Sequence, residues 1–352
     1  MDTTTAQRLN ELNARFYREH ASSFSATRQA PWEGWRRCLA RALEALGEPH
    51  ASDPAPADPA AGAMPPRNLQ ATGKIRASGG AAAGDAPRPS DESAPAGDAR
   101  RFAWPPNART SPAPDGRTLR VLDLACGNLR FERFLMDALP DLAIRVDAVD
   151  SCATLADGAT ALPGVRFHEL DVVSALLGGA GTAASQARAE AGDRASADNP
   201  TAVVAGAPLA LPRLTPCDLA VSFGFLHHVP GFEQRAAALA ALVAQLRPGG
   251  VAAVSLWQFL DDERLARKAA TSHPAALVDL GLDESALDEG DRLLGWQDAL
   301  GAWRYCHHFA ESEVDALSAA VCAATGAREL ARFSADGASG RLNRYLLLQV
   351  SA

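Results

Sequence analysis

The run Val121-Leu-Asp-Leu-Ala-Cys-Gly-Asn128 most constrains how this chain can fold. The apolar residues from Leu119 to Leu124 are typical of a parallel strand that is covered on both faces. Gly127 lets the backbone approach a ligand without an intervening Cβ, and we predict that a helix begins at Asn128 with its free N–H groups directed at the loop. The sequence therefore predicts a strand, a ligand-binding loop and a helix in succession.

A second predicted strand, Ile144 to Val149, delivers Asp150 at its carboxyl end. An acid at about this offset from a glycine-containing loop is where nucleotide-binding α/β folds hold ribose hydroxyls. Asp150 could instead cap a helix that we predict after it, and Asp123 could cap the helix that follows the first strand. We favour the ribose role for Asp150, because it explains the loop and the acid together.

Three further apolar segments follow in the chain. They are Val165 to Leu170, which is followed by Asp171; Asp218 to Val229; and Leu246 to Leu256, which opens with Leu-Arg-Pro-Gly-Gly. In this order the segments resemble class I S-adenosylmethionine-dependent methyltransferases. The resemblance implies an α/β fold with a doubly wound, mostly parallel, seven-stranded Rossmann-like sheet, and S-adenosyl-L-methionine as the cofactor.

The same resemblance assigns cofactor contacts to the loop, to the strand ends and to one arginine near the amino terminus. These residues are Arg28, Asp123, Ala125, Cys126, Gly127, Asn128, Asp150, Ser151, Asp171, Val172 and Phe223. Dinucleotide dehydrogenases want three glycines in such a loop, and here Ala125 and Leu129 stand where two of them would be. NAD is therefore disfavoured as the cofactor.

Composition divides the chain into one folded domain, a leader before it and two low-complexity tracts. Residues 1–47 read as a helical leader that covers the cofactor site, and 118–352 as the methyltransferase-like domain. Residues 48–117 are rich in Ala, Pro, Gly and Asp, so we expect a disordered insert. A similar tract, 178–212, predicts a mobile loop, and 259–302 is expected to form a lid.

Charge and cysteine usage limit the class of protein. The chain has 34 Lys plus Arg against 42 Asp plus Glu, a formal net charge of −8, which disfavours non-specific attraction to nucleic acid but leaves room for a local basic patch on the leader. Its six cysteines include no Cys-x-x-Cys pair, so we expect no metal site and no disulfide framework. No segment predicts a signal peptide or a membrane span, and we expect a cytoplasmic location.

The carboxyl-terminal part predicts a helix near Asp261 to Ala270, an acidic segment to about Gly290, and a helix from Glu311 to Ala324. Two strands, Glu329 to Phe333 and Arg344 to Val350, read as a closing hairpin that adds one antiparallel strand to the sheet.

Short motifs resemble one methyltransferase family more closely, the enzymes that methylate modified wobble uridines in tRNA. The matching residues are Tyr17, Phe24 to Arg28, Pro31-Trp32, His227-His228 and Arg304 to His307, with Cys306 in place of an aromatic residue that is frequent in the family. The resemblance implies tRNA as the partner and leaves open whether a small activating subunit is needed.

In that family the acceptor is a carboxylate, which with a solution pKa of ~4 is already an anion at neutral pH. Orientation and cationic contacts then matter more than proton transfer. The resemblance assigns this catalytic role to Arg304, His307 and His227. Arg28 is a further candidate, although contact with the methionine carboxylate of the cofactor is favoured for it.

Several neighbouring residues have simpler interpretations. We expect His228 and His308 to be packed neighbours of functional histidines, and Phe16, Trp32 and Trp35 to belong to the core rather than to a platform for stacking bases. Two other functions stay open: a small-molecule O- or N-methyltransferase, suggested by the negative net charge, and a non-catalytic cofactor-binding partner subunit, for which Leu129 is the sequence support.

Overall fold

The computed structural model describes residues 1–47, 118–157, 161–178, 215–297 and 299–352. The two predicted inserts, 48–117 and 178–212, lie outside the described residues except for Gly178. The helices are α1 (Thr3–Ala26), α2 (Glu33–Ala45), α3 (Arg130–Ala138), α4 (residues 172–178), α5 (Phe232–Val243), α6 (Glu263–Leu280) and α7 (Glu311–Thr325).

Seven strands form the main sheet. Their bounds are β1 (Thr118–Leu124), β2 (Ala143–Asp150), β3 (Val165–Glu169), β4 (Cys217–Ser222), β5 (Leu246–Trp257), β8 (Arg328–Ala335) and β9 (Asn343–Gln349). They lie side by side in the order β3-β2-β1-β4-β5-β9-β8. The first five pair in parallel, and β9 runs antiparallel to both of its neighbours. The predicted fold class and the single antiparallel strand are confirmed.

Helices cover both faces of this sheet, because alternate strand residues point to opposite sides. On β1, Leu122 and Leu124 pack in a core with α4, α5 and α7. Leu119 and Val121 pack in a second core with α2 and α3. The carboxyl ends of β1, β2, β3 and β4 meet at one edge, where a doubly wound sheet commonly binds ligands.

The lid region differs from the prediction in two ways. Helix α6 continues ten residues beyond the predicted Ala270, to Leu280, and a strand that was not predicted, β6 (Asp291–Gly295), pairs antiparallel with β7 (Trp303–His307). The first helix packs on this small sheet through a cluster that contains Leu9, Leu293 and Tyr305. The leader and the lid are therefore joined to each other.

Two helix predictions near the loop need correction. The helix after β1 begins at Arg130 rather than at Asn128, because Leu129 adopts a left-handed conformation with φ 58°. The helix predicted after Asp150 is wrong within the described range, where 151–157 form turns. Asp150 accepts a hydrogen bond from the N–H of Cys152, and that bond closes a turn in place of a helix. Among the described helices, none is long and apolar enough to span a membrane.

Candidate active site

A cavity of about 500 Å³ lies at the carboxyl edge of the sheet, between the leader helices, the loop after β1 and the lid. This volume is in the usual range for small-molecule sites. All eleven residues predicted to contact the cofactor line it, and so do Arg304 and His227. His307, the third predicted catalytic residue, is not among the residues that line the cavity.

The loop after β1 is held in a tight conformation by its backbone. Ala125, Gly127 and Leu129 have φ values of 66°, 55° and 58°, the left-handed region that costs non-glycine residues about 1–2 kcal/mol each. The N–H groups of Ala125 and Cys126 both donate to the carbonyl of Val149, at 2.7 and 3.0 Å. These bonds stabilise the strained turn against the end of β2.

Gly127 borders open space, since a Cβ at this position would meet nothing within 4 Å. Leu129 is instead fully buried in the core beside α2 and α3. Leu129, which stands where a dinucleotide-binding loop has a glycine, therefore packs away from the cavity and leaves the space beside Gly127 clear.

Asp150 ends β2 and faces the loop. Its Oδ2 accepts from the N–H of Gly127 at 2.9 Å, and its Oδ1 accepts from the N–H of Cys152 at 2.8 Å. Burial raises the pKa of this carboxyl, although both backbone donors oppose the shift. Each carboxylate oxygen has a second lone pair that could accept from a ribose hydroxyl.

A buried acid lies behind the loop as well. Glu132 of α3 is completely buried, and burial raises its pKa from 4.5 to about 7. Asp123, at the end of β1, also has a strongly raised pKa, first through burial and then through the nearby negative charge of Glu132. A cationic group bound in the cavity beside Asp123 would favour its ionised form.

Amide side chains form hydrogen bonds between the leader and the wall of the cavity. Asn128 donates to Ser25 Oγ at 3.1 Å and to the carbonyl of Arg28 at 2.9 Å. Asn10 donates to Asp171 Oδ2 at 3.2 Å, while Asp171 also accepts from the N–H of Ser174 and so caps α4. Asn128 and Asp171 therefore position the leader as well as lining the cavity.

Part of the cavity wall is cationic and aromatic. Arg304 of β7 is 1% exposed, and its guanidinium lies 5.5–5.7 Å from the ring centroids of Phe16, Trp257 and Trp296. Cation–π contacts of this kind are worth ~2 kcal/mol each when desolvated. Arg28 also lines the cavity and stacks on Phe24 at 3.6 Å. Arg304 and Arg28 could together hold an anionic group.

His227 does not have the positive charge that a cationic contact to a carboxylate needs. Burial, followed by the positive charges around it, lowers the pKa of His227 well below its usual value. The imidazole is therefore neutral at physiological pH. His227 therefore lines the cavity as a neutral imidazole and not as the expected cation.

The neighbouring His228 belongs to a buried hydrogen-bond network. Its Nδ1 lies 2.9 Å from the carbonyl of Tyr305 and its Nε2 lies 2.7 Å from the hydroxyl of Tyr17. Asn13 of α1 completes the network, because its Oδ1 accepts from the N–H of Tyr305 at 2.8 Å and its Nδ2 donates to the carbonyl of Tyr305. His228 thus connects the leader to β7 and also lines the cavity.

His307 lies on the far side of β7. Its Nδ1 contacts Asp291 Oδ1 at 2.7 Å, and its Nε2 contacts Glu313 Oε2 at 2.6 Å. Arg235 is ion-paired with the same Glu313 at 2.9 Å. Both nitrogens of His307 are thus used in a buried charged cluster, and the structure does not bring this residue to the cavity.

We expected the aromatic residues of the leader to belong to the core and not to a platform for stacking bases. Phe16 and Trp35 are 2% and 3% exposed and pack in hydrophobic clusters. Trp32 is half-buried and lines the cavity beside Trp35 and Phe223. His308 packs near the lid, where its Nδ1 accepts from the N–H of Leu260.

Sequence reasoning missed Asn10 and Asn13 as cavity residues. A signal was present, because Asn10, Asn13 and Tyr17 are spaced by three and four residues and so share one face of α1. Polar residues on an otherwise apolar helix face are expected to have specific buried partners. Glu132 gave a weaker signal, as an acid among the apolar positions of α3.

Similarity to known proteins is limited to the fold. No protein-family model and no curated protein matches the chain. Solved structures to which the chain is similar include an S-adenosylmethionine-dependent methyltransferase from Methanosarcina mazei, with 15% identity over 66% of this chain and 92% of that one and a TM-score of 0.41. An amino pentose methyltransferase from Micromonospora echinaspora is 18% identical over 66% of this chain and 84% of that one, with a TM-score of 0.36. At these values a functional assignment depends on the residues of the cavity.

Proposed function

We propose that the protein is an S-adenosylmethionine-dependent methyltransferase that methylates a carboxylate on a modified wobble uridine of tRNA. The observation that carries the proposal is the position of Arg304, a desolvated cation in the wall of the same cavity that the loop after β1, Asp150 and Asp171 line. A guanidinium in a buried, low-dielectric wall attracts an anionic ligand more strongly than one in water does.

The residues of the cavity fit the cofactor in its expected orientation. Asp150 would accept from the ribose hydroxyls, the space beside Gly127 would admit the methionine portion, and Asp123 would lie near its amino group. When bound, the cofactor supplies a methyl group on a positively charged sulfur. Asp123 is neutral or ionised according to the charge beside it, so binding of a cation is expected to release a proton.

Arg304 and His227 would hold the acceptor. The planar guanidinium of Arg304 matches a carboxylate in a bidentate contact, and its aromatic surround prevents it from turning away. His227 is neutral and can donate one hydrogen bond without adding charge. A carboxylate is already ionised at neutral pH, so these residues need only desolvate and orient it.

Exposed arginines on the leader support an RNA acceptor. Arg15 and Arg18 lie with Arg8 on one side of α1 and line a second cavity of about 440 Å³ against Leu280 and Leu282. Within the described part of the chain no carboxylate pairs with Arg15 or Arg18. Unpaired guanidinium groups of this kind are suited to phosphate oxygens.

The test is transfer of a labelled methyl group from S-adenosylmethionine to tRNA from cells that lack the protein, with a small-molecule extract assayed in parallel. A carboxylate product is a methyl ester, so mild alkali should release the label as methanol, whereas ether and amine products keep it. Alkali-stable label in tRNA would contradict a carboxylate acceptor. Label only in the small-molecule fraction would favour the second candidate, a small-molecule methyltransferase, which the net charge of −8 supports.

A further inference from the structure

Three metal-ligating side chains lie close together, and two of them line the cavity. Each of His227, His228 and Cys306 offers one ligand atom, and the three atoms lie within 4.8 Å of one another. The two histidines are each 7% exposed, and Cys306 is completely buried. We propose that this His-His-Cys cluster binds a divalent cation of the zinc type.

Two backbone elements hold the cluster in place. His227 and His228 lie in the short 3-10 turn Leu226–His228 that follows β4, with their ring centroids 4.0 Å apart. Cys306 lies in β7, two residues after Arg304, and alternate residues of a strand share a face. Cys306 therefore faces the same side as Arg304, toward the histidines.

The environment of His228 resembles that of a metal-binding histidine. Its Nδ1 lies 2.9 Å from the carbonyl of Tyr305, and metal-ligating histidines usually donate their second ring N–H to a carbonyl or carboxylate. This contact would orient Nε2 as the ligand atom. The hydroxyl of Tyr17 lies 2.7 Å from Nε2, so a metal ion would take the place of that hydroxyl.

His227 gives a second indication of a bound metal ion, independent of the spacing of the three side chains. Its Nδ1 is buried and has no hydrogen-bond partner within the described part of the chain. A buried polar atom without a partner costs ~1–3 kcal/mol, so coordination of this nitrogen would remove an existing penalty. The aromatic ring of Trp257, 4.9 Å from the imidazole, limits water at the same place.

The set of donor atoms indicates the class of ion. Two imidazole nitrogens and one thiolate suit zinc, whose bonds of ~2.0–2.1 Å to nitrogen and ~2.3 Å to sulfur would place the ligand atoms about 3.3–3.6 Å apart. Separations near the 4.8 Å upper limit would have to shorten by about 1 Å on binding. The thiol of Cys306 must lose its proton, which passes to solvent. Because both histidines line the cavity, a fourth coordination position would face the cavity.

The test is titration of the metal-free full chain with Co²⁺, which replaces zinc in such sites and gives a thiolate-to-metal absorption band. We expect one equivalent to bind with this band, and Zn²⁺ to displace it. Cys306→Ser should abolish the band, and His227→Gln should weaken Co²⁺ binding at least tenfold. Circular dichroism of each variant would show that it is folded.

Two matched variants make the result specific. Cys322→Ser removes a half-buried thiol on α7, outside the cluster, and should leave the band and the affinity unchanged. Tyr17→Phe removes the hydroxyl that contacts His228 and should bind Co²⁺ at least as tightly as the unaltered protein. Absence of a stoichiometric thiolate band in the unaltered protein would overturn the proposal. So would equal Co²⁺ affinity in the folded Cys306→Ser and His227→Gln variants and the unaltered protein.

Discussion

The carboxylate of Asp150 lies 2.9 Å from the backbone nitrogen of Gly127 and accepts its hydrogen bond. This contact joins the acid at the end of β2 to the loop after β1, so one side chain both shapes the loop and faces the ligand space. Loss of the charge at Asp150 is therefore expected to affect the cofactor through two routes, the direct contact with ribose and the conformation of the loop.

Asp150→Asn should weaken S-adenosylmethionine binding about 10- to 100-fold, because charged hydrogen bonds contribute ~1.5–3 kcal/mol each. Calorimetric titration would measure the dissociation constant. Asp147→Asn is the matched control, since Asp147 lies on the same strand but pairs with His168 at 2.7 Å, outside the cavity. If both variants bind the cofactor like the unaltered protein, the assignment of Asp150 to the ribose is wrong.

Glu132 gives a prediction for stability against pH. Its folded-state pKa of about 7 lies above the ordinary value of 4.5, so ionisation in the folded state is unfavourable. The protonated carboxyl therefore contributes to the stability of the fold. This contribution is fully present below pH 4.5 and is lost as pH rises through about 7. Glu132→Gln cannot ionise, so this variant should unfold at higher denaturant concentration than the unaltered protein at pH 8, with a difference on the order of 1–3 kcal/mol that vanishes near pH 4.

Denaturant titrations at several pH values would measure that difference. Glu289→Gln serves as the control, because Glu289 is an exposed acid outside the loop region, and this variant should follow the same pH profile as the unaltered protein. A Glu132→Gln variant that is less stable than the unaltered protein at pH 8 would mean that the ionised carboxylate has a stabilising partner in the folded state.

Most strands of the main sheet were predictable because they contain consecutive or alternating apolar residues, and β1 and β5 also adjoin recognisable turns. The strand β6 was not, because Asp291-Arg-Leu-Leu-Gly295 is short and begins with two charged residues. Its pairing with β7 and the burial of Asp291 arise from contacts between segments, which no local pattern records.

All of the residues predicted to contact the cofactor line the cavity, but one of the three predicted to act on the acceptor does not, and the reason is related. The loop residues are adjacent in sequence, and their backbone conformation places them together. Arg304 and His307 are also close in sequence, but they are three residues apart on a strand, so their side chains point to opposite faces. The motif could not indicate that one faces the cavity and the other contacts Asp291 and Glu313.

This difference between Arg304 and His307 predicts two distinct defects. Arg304→Lys keeps the charge but loses the bidentate contact, so methyl transfer should fall about 10²-fold while cofactor affinity stays within about twofold. His307→Gln should instead lower the stability by about 3 kcal/mol, because Asp291 and Glu313 lose a shared buried partner. Single-turnover rates and denaturant titrations of both variants would separate the effects.

One result would contradict the structural role that we assign to His307. If folded His307→Gln transfers methyl groups as slowly as Arg304→Lys under conditions where both are fully folded, then His307 acts on the acceptor. A catalytic role would then be favoured over a structural role behind β7.

The arginines of α1 predict how an RNA acceptor would bind. Arg15 and Arg18 are exposed on α1, and Tyr17 of the same helix lines the cavity. Each phosphate that a protein neutralises releases counterions, so removal of one such arginine changes the slope of log affinity against log salt by ~0.7–0.9. The double variant Arg15→Glu/Arg18→Glu should therefore bind tRNA more weakly and with a slope reduced by about 1.4–1.8.

Affinity for tRNA at several salt concentrations would test this, with S-adenosylmethionine binding measured in the same samples. The matched control is Arg41→Glu/Arg267→Glu, which makes the same change in net charge at two exposed arginines that pair with Glu44 and Glu263. Equal slopes for the two double variants would show that overall charge, and not the α1 surface, governs tRNA binding. Unchanged cofactor affinity in the Arg15→Glu/Arg18→Glu variant would place its defect at the RNA surface, because the cavity contacts of α1 come from its other face, through Asn10, Asn13 and Tyr17.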